Sequence, residues 1–526
     1  MGIPSYFAQL IKNYPEIVKK YCKDDVLIHN FYIDSNSIIY DAINEIQYDN
    51  SSNNNNYNKI YYNKIFTYIT KKIDEYISII KPSNKIIIAF DGVAPVAKLE
   101  QQRNRRYKSW LQKNHSTSSW DTCNITPGTK FMEELNEYVT KYYNDKINTS
   151  LEITVSGSNI VGEGEHKIFE FIRNNKNYHN NTTTVIYGLD ADLIMLCLSH
   201  LHISNNIFLY RETPHFIKSL NKMLIPNEKY ILDIYELCEK IKINMIHHNK
   251  NDEDYILDYI FICFMLGNDF LPHFPVINLR TNGLTYLMET YKNIVSINKE
   301  YIIKDGKINW KIYKKLINEL SNNEEKYGIE EMNIRNKMER KTKQNIKEED
   351  RLLLSPILDR KVEKYINIGT QGWQNRYYKE LFDIDINDER RRQICINYLE
   401  GLEWTFKYYT DKCYDWRWKY NYDYPPLLED LNKYIPYFDT EFIENKNNNY
   451  ITPLCQLIYV LPRNSLSLLP KKLYEYLIIK HGDWYRLDYN IKWSYCKYFW
   501  ESHIDMVDIE INVIENIIST LNIYEK

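Results

Sequence analysis

Four short apolar runs punctuate the first 200 residues: LIHNFYI (27–33), KIIIAF (85–90), EITVSG (152–157) and TVIYGL (184–189). Each has strand length and turn or polar residues at its borders, the pattern of strands buried in a parallel sheet. Between them the apolar spacing changes to threes and fours. Residues 60–80 and 166–175 therefore predict crossover helices. The alternation predicts an α/β domain with a mostly parallel sheet over residues 1–250. The polar tract YDNSSNNNNYN (48–58) predicts a loop insertion before the first of these helices. From about residue 255 the β-branched runs thin out and helical patterns take over, beginning with the apolar YILDYIFICFML (255–266). Residues 251–526 thus predict a second, mainly helical domain wrapped against the first. Within it, 324–354 carries dense charge of both signs and a weak apolar stripe, which predicts a solvated or projecting helix.

Composition adds exclusions. With 44% apolar residues among 526 and no uncharged apolar run of 18, the chain predicts a globular protein without a membrane span. The net charge is −3, so a polyanion must be met by a local basic patch. None of the nine cysteines forms a CxxC pair, which argues against a zinc cluster or a disulfide framework. No secretory signal is visible in MGIPSYFAQLIKNYP. A cytoplasmic location is expected, with the nucleus left open.

Three of the predicted strands run into aspartate: Asp34, Asp91, and Asp190 with Asp192. The carboxyl ends of neighbouring strands in an open α/β sheet face one crevice, so these side chains should converge. After the strand at 152–157, VGEGEHK adds Glu163 and Glu165 on a glycine-rich turn, and LGNDFLPH supplies Asp269. Each acid alone also reads as a helix cap or turn residue. Together they carry a cost, since two like charges about 4 Å apart repel by roughly 4 kcal/mol at an effective dielectric of 20. Divalent cations reverse that cost. Oxygen donors suit Mg²⁺ or Mn²⁺, and two such ions support in-line phosphodiester displacement.

Directly after Asp91, six basic residues stand between Lys98 and Lys113 against one acid. On a helix starting near Pro95, Lys98, Gln102, Arg105 and Arg106 fall mostly on one face, which suits a terminal phosphate. A solvated basic face is the plainer alternative. His247 and His248 read as surface residues, and His166 as a helix-start residue or a contact to phosphate or carboxylate.

With these residues identified, the chain resembles the Xrn-type 5′-to-3′ exoribonucleases. MGIPSYF, DGVAPVAKLEQQRNRR, ITPGTKFM, VGEGEHKIFEFIR, YGLDADLIML, FMLGNDFLPH, GWQNRYYKELF, GLEWTFKYYTDKCYDWRWKYNYDYPP and QLIYVLPRNSLSLLP carry the likeness over nearly the whole chain. The resemblance implies a PIN or flap-nuclease-like α/β fold and a processive hydrolase. That enzyme would use divalent cations, Mg²⁺ or Mn²⁺ and expected to be two, to remove nucleoside 5′-monophosphates from single-stranded RNA with a 5′-monophosphate. It implies that Asp34, Asp91, Glu163, Glu165, Asp190, Asp192 and Asp269 hold the metals, and that Lys98, Gln102, Arg105 and Arg106 form a phosphate pocket too small for a cap or triphosphate. Tyr40 stands where the family usually has a histidine that stacks on the first bases, and the opposing stack falls to Trp416 or Trp418. The chain ends near the end of the family's catalytic core, so no docking through a long C-terminal extension is expected, and a monomer is. Two other readings remain at this point: a structure-specific DNA nuclease of the flap endonuclease type, and an inactive RNA-binding scaffold.

Overall fold

The four apolar runs become neighbouring strands of one sheet. The computed structural model describes residues 3, 5–21, 27–46, 55–113, 120–146, 151–212, 224–225, 228–245, 254–298, 300–383, 387–446 and 450–523. Among them the sheet runs in the order β1 (Val18–Lys20), β7 (Lys229–Asp233), β6 (Ile207–Glu212), β5 (Thr184–Tyr187), β2 (Asn30–Asp34), β3 (Lys85–Ala89), β4 (Glu152–Ser156). β6, β5, β2, β3 and β4 are mutually parallel; β7 pairs antiparallel with β6, and edge strand β1 antiparallel with β7. The expected four strands thus form the functional part of a larger mixed sheet. β1 is two-thirds lysine and lies at an edge, where an apolar run is not required.

Register does the positioning. Asp34 pairs with Ala89, Ala89 with Ser156, and Ile33 with Tyr187, so all four strands end at the same level. Apolar layers cover both faces. On one, the helices Asn55–Ile80 and Lys130–Asn144 pack on Phe31, Ile33, Ile86, Ile88 and Val185. On the other, a continuous core joins Tyr32, Ile87 and Ile186 to the helices Gly164–Asn174, Asp192–Ser199, Asp254–Cys263, Trp310–Asn322 and Asp388–Thr410. That core mixes residues from both halves of the chain. The helix Val96–Lys113 follows β3, and Val93, Val96 and Leu99 beside its start pack on Leu457, Ile458 and Leu466.

Three expectations need correction. Residues 55–58 of the expected loop begin the helix Asn55–Ile80. The mainly helical half contains two short ribbons, Ile303–Lys304 with Lys307–Ile308 and Ile491–Lys492 with His503–Ile504. The charged helix ends at Asn345 and does not simply project. Arg335, 2% exposed, donates to both oxygens of Glu363 at 2.9 and 2.6 Å, and buried Arg360 donates to Glu363 at 2.6 Å. Glu324, Glu331, Arg335 and Glu339 of this helix are thus buried, and Arg335 and Glu339 join an ion-pair network with Arg360 and Glu363. No helix among the described residues is long and apolar enough to cross a membrane. The eight described cysteines are free.

Candidate active site

The acids follow the aligned strand ends. Asp34 closes β2, Asp91 lies two residues past β3, and Asp190 three past β5, while Asp192 opens the next helix. Glu163 and Glu165 flank Gly164 at the start of the helix Gly164–Asn174. A Cβ on Gly164 would stand 2.7 Å from Asp34 Oδ1 and 3.2 Å from the Ala89 carbonyl, so only glycine lets this turn close on the strand ends. Asp269 arrives from the turn after the 3₁₀ segment Phe264–Leu266. Glu163, Glu165, Asp192 and Asp269 are deeply buried, Asp34 and Asp91 half-buried, and Asp190 exposed at the opening.

Lys98 binds the group together. Its Nζ lies 2.7 Å from Glu163 Oε1 and 2.7 Å from Asp269 Oδ2. Burial opposes its charge, but Asp269 and Glu163 outweigh that and hold its pKa well above the ordinary value. Burial likewise opposes ionisation of Asp269, yet Lys98 keeps its carboxyl below the usual range. Asp34, Asp91, Glu165 and Asp192 shift the other way. Burial, with repulsion from Asp91, Asp190 and Glu163, pushes Asp34 well up. Burial and Glu163 raise Asp91, burial and Asp192 raise Glu165, and burial with Asp269 raises Asp192 to about 7. Asp34 Oδ1, Glu165 Oε2 and Asp192 Oδ1 are buried without a hydrogen-bond partner.

An all-oxygen donor set with unpartnered carboxylate oxygens fits a hard divalent cation. Among the described residues no three acids, histidines or cysteines stand in ligating geometry as arranged; Lys98 spans Glu163 and Asp269 in their place.

Several supporting residues carry no local sequence signal. Asn36 donates to Asp91 Oδ2 and accepts from the Asp91 N–H at 3.1 Å; the Gly164 N–H donates to Asp91 Oδ1 at 2.7 Å. Gln101 donates to Asp269 Oδ1 at 2.9 Å, and Tyr408 to Glu163 Oε2 at 2.9 Å. Lys167 ties the β3 and β4 ends through the Phe90 and Gly157 carbonyls, both at 2.8 Å. Gln101, Lys167 and Tyr408 lie within the quoted motifs, but nothing local marks the partners they reach.

The basic helix divides its side chains. Arg105 and Arg106 line a cavity of about 450 Å³ with Tyr40, Trp110, Asp121 and Ser465. Tyr40 is 38% exposed there. Gln102 Oε1, Arg106 Nη1 and Trp110 Nε1 are buried without partners, and burial lowers the Arg106 pKa. Lys98 turns instead to the acids. Arg103 donates to the Val507 and Trp484 carbonyls, and Lys108 to those of Trp500 and Ser502. These two cations fasten the helix to the C-terminal segment, so the run of six is not a single patch. Arg105 also lines a second cavity of about 480 Å³ on the Asp269 and Gln101 side.

Trp416 and Trp418 differ in setting. Trp418 is 8% exposed and stacked on Trp404 at 5.1 Å; Trp416 is half-buried, and its carbonyl accepts from the Val96 N–H at 2.9 Å. His166 is buried and stacks on Tyr408 at 3.7 Å, a packing role. His247 and His248 lie outside the described residues.

Comparison with known proteins bears on this arrangement. The family described as XRN 5′-3′ exonuclease N-terminus matches residues 1–213, and the Xrn1 helical domain matches 249–364 and 355–502. Human 5′-3′ exoribonuclease 1 is 29% identical over 548 residues, covering 91% of this chain and 31% of that protein. Arabidopsis thaliana 5′-3′ exoribonuclease 2 is 24% identical, covering 95% of this chain and 65% of its own length. The chain thus spans about a third to two thirds of these relatives. Among solved structures, the catalytic core of Rad2 in complex with DNA substrate aligns at a TM-score of 0.33 and 14% identity, over 66% of this chain and 83% of that one. With both family regions matched in order across most of its length, this chain belongs to the Xrn 5′-3′ exoribonuclease family.

Proposed function

We propose that the protein is a 5′-to-3′ exoribonuclease acting on single-stranded RNA with a 5′-monophosphate and releasing nucleoside 5′-monophosphates. The observation that carries this reading is the set of carboxylates past four aligned strand ends, three of whose oxygens are buried and unpartnered, beside a basic helix whose Lys98 meets them and whose Arg105 and Arg106 wall a cavity. Asp34, Asp91, Glu163, Glu165, Asp190, Asp192 and Asp269 would hold two Mg²⁺ or Mn²⁺ ions. Such ions, when bound, lower the pKa of water and stabilise the departing oxygen of a phosphodiester.

The chain's own residues supply position. Arg105, Arg106 and Gln102 hold the terminal phosphate through charge-assisted hydrogen bonds, while the acids address the next phosphodiester. Lys98, one turn before Gln102 and about two before Arg105 on the same helix, balances the charge of the acids. Tyr40 offers a ring to the first bases, and its partner is Trp416, since Trp418 is committed to Trp404. Residues 251–526 complete the site through Asp269. A time course on end-labelled RNA bearing a 5′-monophosphate, a triphosphate or a cap, beside a branched DNA duplex, tests the proposal. Mononucleotide release from the monophosphorylated RNA alone is expected; cleavage of the branched DNA instead would overturn it.

A further inference from the structure

Tyr408 is a buried group that the proposed reaction leaves without a role. It lies in the last turn of the helix Asp388–Thr410 and is 3% exposed, yet its hydroxyl reaches the acidic cluster and donates to Glu163 Oε2 at 2.9 Å. Its ring has no freedom to leave. His166 stacks on it at 3.7 Å with 20° between planes, Trp404 lies at 4.9 Å, and Phe270 meets it edge-on at 5.7 Å.

A rigid donor on one carboxylate oxygen decides where the other points. With Oε2 held by Tyr408, Oε1 of Glu163 is directed to the position of the Lys98 ammonium, the place of positive charge in the cluster. The adjacent Tyr409 hydrogen-bonds Asp192 from the same helix end. The two consecutive tyrosines thus bring the helical half of the chain onto two acids of the sheet.

Resting on the metal reading above, we propose that Tyr408 is a positioning residue for the divalent-cation site: its hydroxyl fixes the Glu163 carboxylate so that Oε1 is presented to a cation. Groups that orient ligands in this way typically change metal affinity or activity by about 10–100-fold when removed.

Tyr408→Phe keeps the ring and its packing and deletes only the donor. Mn²⁺ binding to the full chain, measured by calorimetry without RNA, should weaken by about 10–100-fold. Turnover should recover as Mn²⁺ is raised, with KM for RNA unchanged. Tyr377→Phe is the control, because buried Tyr377 donates to the Pro425 carbonyl at 2.9 Å within a separate apolar cluster; it should leave Mn²⁺ affinity intact. Unchanged Mn²⁺ affinity in a folded Tyr408→Phe protein, or an equal loss in Tyr377→Phe, would overturn the proposal. Absence of Mn²⁺ binding by the unaltered protein would instead remove the metal reading itself, and this inference with it.

Discussion

The Lys98 ammonium lies 2.7 Å from Asp269 Oδ2, a buried ion pair between the helix after β3 and the helical half of the chain. Its other contact, Glu163 at 2.7 Å, gives the same cation two anions. Breaking a buried pair by removing one partner costs about 3–5 kcal/mol, since the partner's charge is left uncompensated. Lys98→Met should therefore lower the melting temperature in a chelator. Because a cation bound to the native state stabilises it by mass action, added Mg²⁺ should recover more stability in the variant than in the unaltered protein. Paired thermal melts with EDTA and with Mg²⁺ check this.

Asp192 is buried beside Asp269 and Glu165, and its carboxyl is raised to about 7. Asp192→Asn relieves repulsion while removing a proposed ligand. Turnover on 5′-monophosphorylated RNA should fall by about 10³-fold or more, as for loss of a transition-state electrostatic contact, with a melting temperature equal or higher. Retained turnover would remove Asp192 from the machinery.

Arg105 and Arg106 wall the cavity next to Tyr40. A hydrogen bond to a charged group contributes about 1.5–3 kcal/mol, so each guanidinium lost should cut the preference for a 5′-monophosphate over a 5′-hydroxyl by about tenfold or more. The ratio of kcat/KM values for Arg105→Ala and Arg106→Ala, each on both substrates, is the measurement.

The two tryptophans should separate cleanly. Trp418→Ala empties a site packed on Trp404 and should cost about 3–5 kcal/mol in urea unfolding. Trp416→Ala should cost little stability but weaken RNA binding by about 1–3 kcal/mol, one base stack.

A pH effect on stability is expected far from the acids. Glu324 is buried, accepts from the Leu428 and Glu429 N–H groups, and has its pKa raised by burial from 4.5 to about 8. The folded state thus keeps a proton that the unfolded chain releases. That contribution to stability is full below about pH 4.5 and is lost as pH rises through about 8, with a slope of at most about 1.4 kcal/mol per unit. Glu324→Gln removes the titration. Its stability relative to the unaltered protein should therefore rise between pH 5 and 8.

The parallel strands and the acids at their ends were readable from sequence because both signals are local: a β-branched run, then an aspartate. The same holds for the helix bearing Lys98, Gln102, Arg105 and Arg106, although its spacing alone did not separate Arg103 and Lys108, whose partners are carbonyls on the far C-terminal segment. Charge patterning misread residues 324–345 because an arginine buried against a glutamate has the composition of a solvated face.

Sequence by itself determined the order of elements, the acidic and basic candidates and the family motifs. Tertiary structure alone decided the alignment of the strand ends, the placement of Lys98 among the acids, the burial that separates Trp418 from Trp416, and the reach of Tyr408 to Glu163. The division is physical. Periodicity and strand-end chemistry act over a few residues, whereas burial and ion pairing depend on segments that meet only after the two halves share one core.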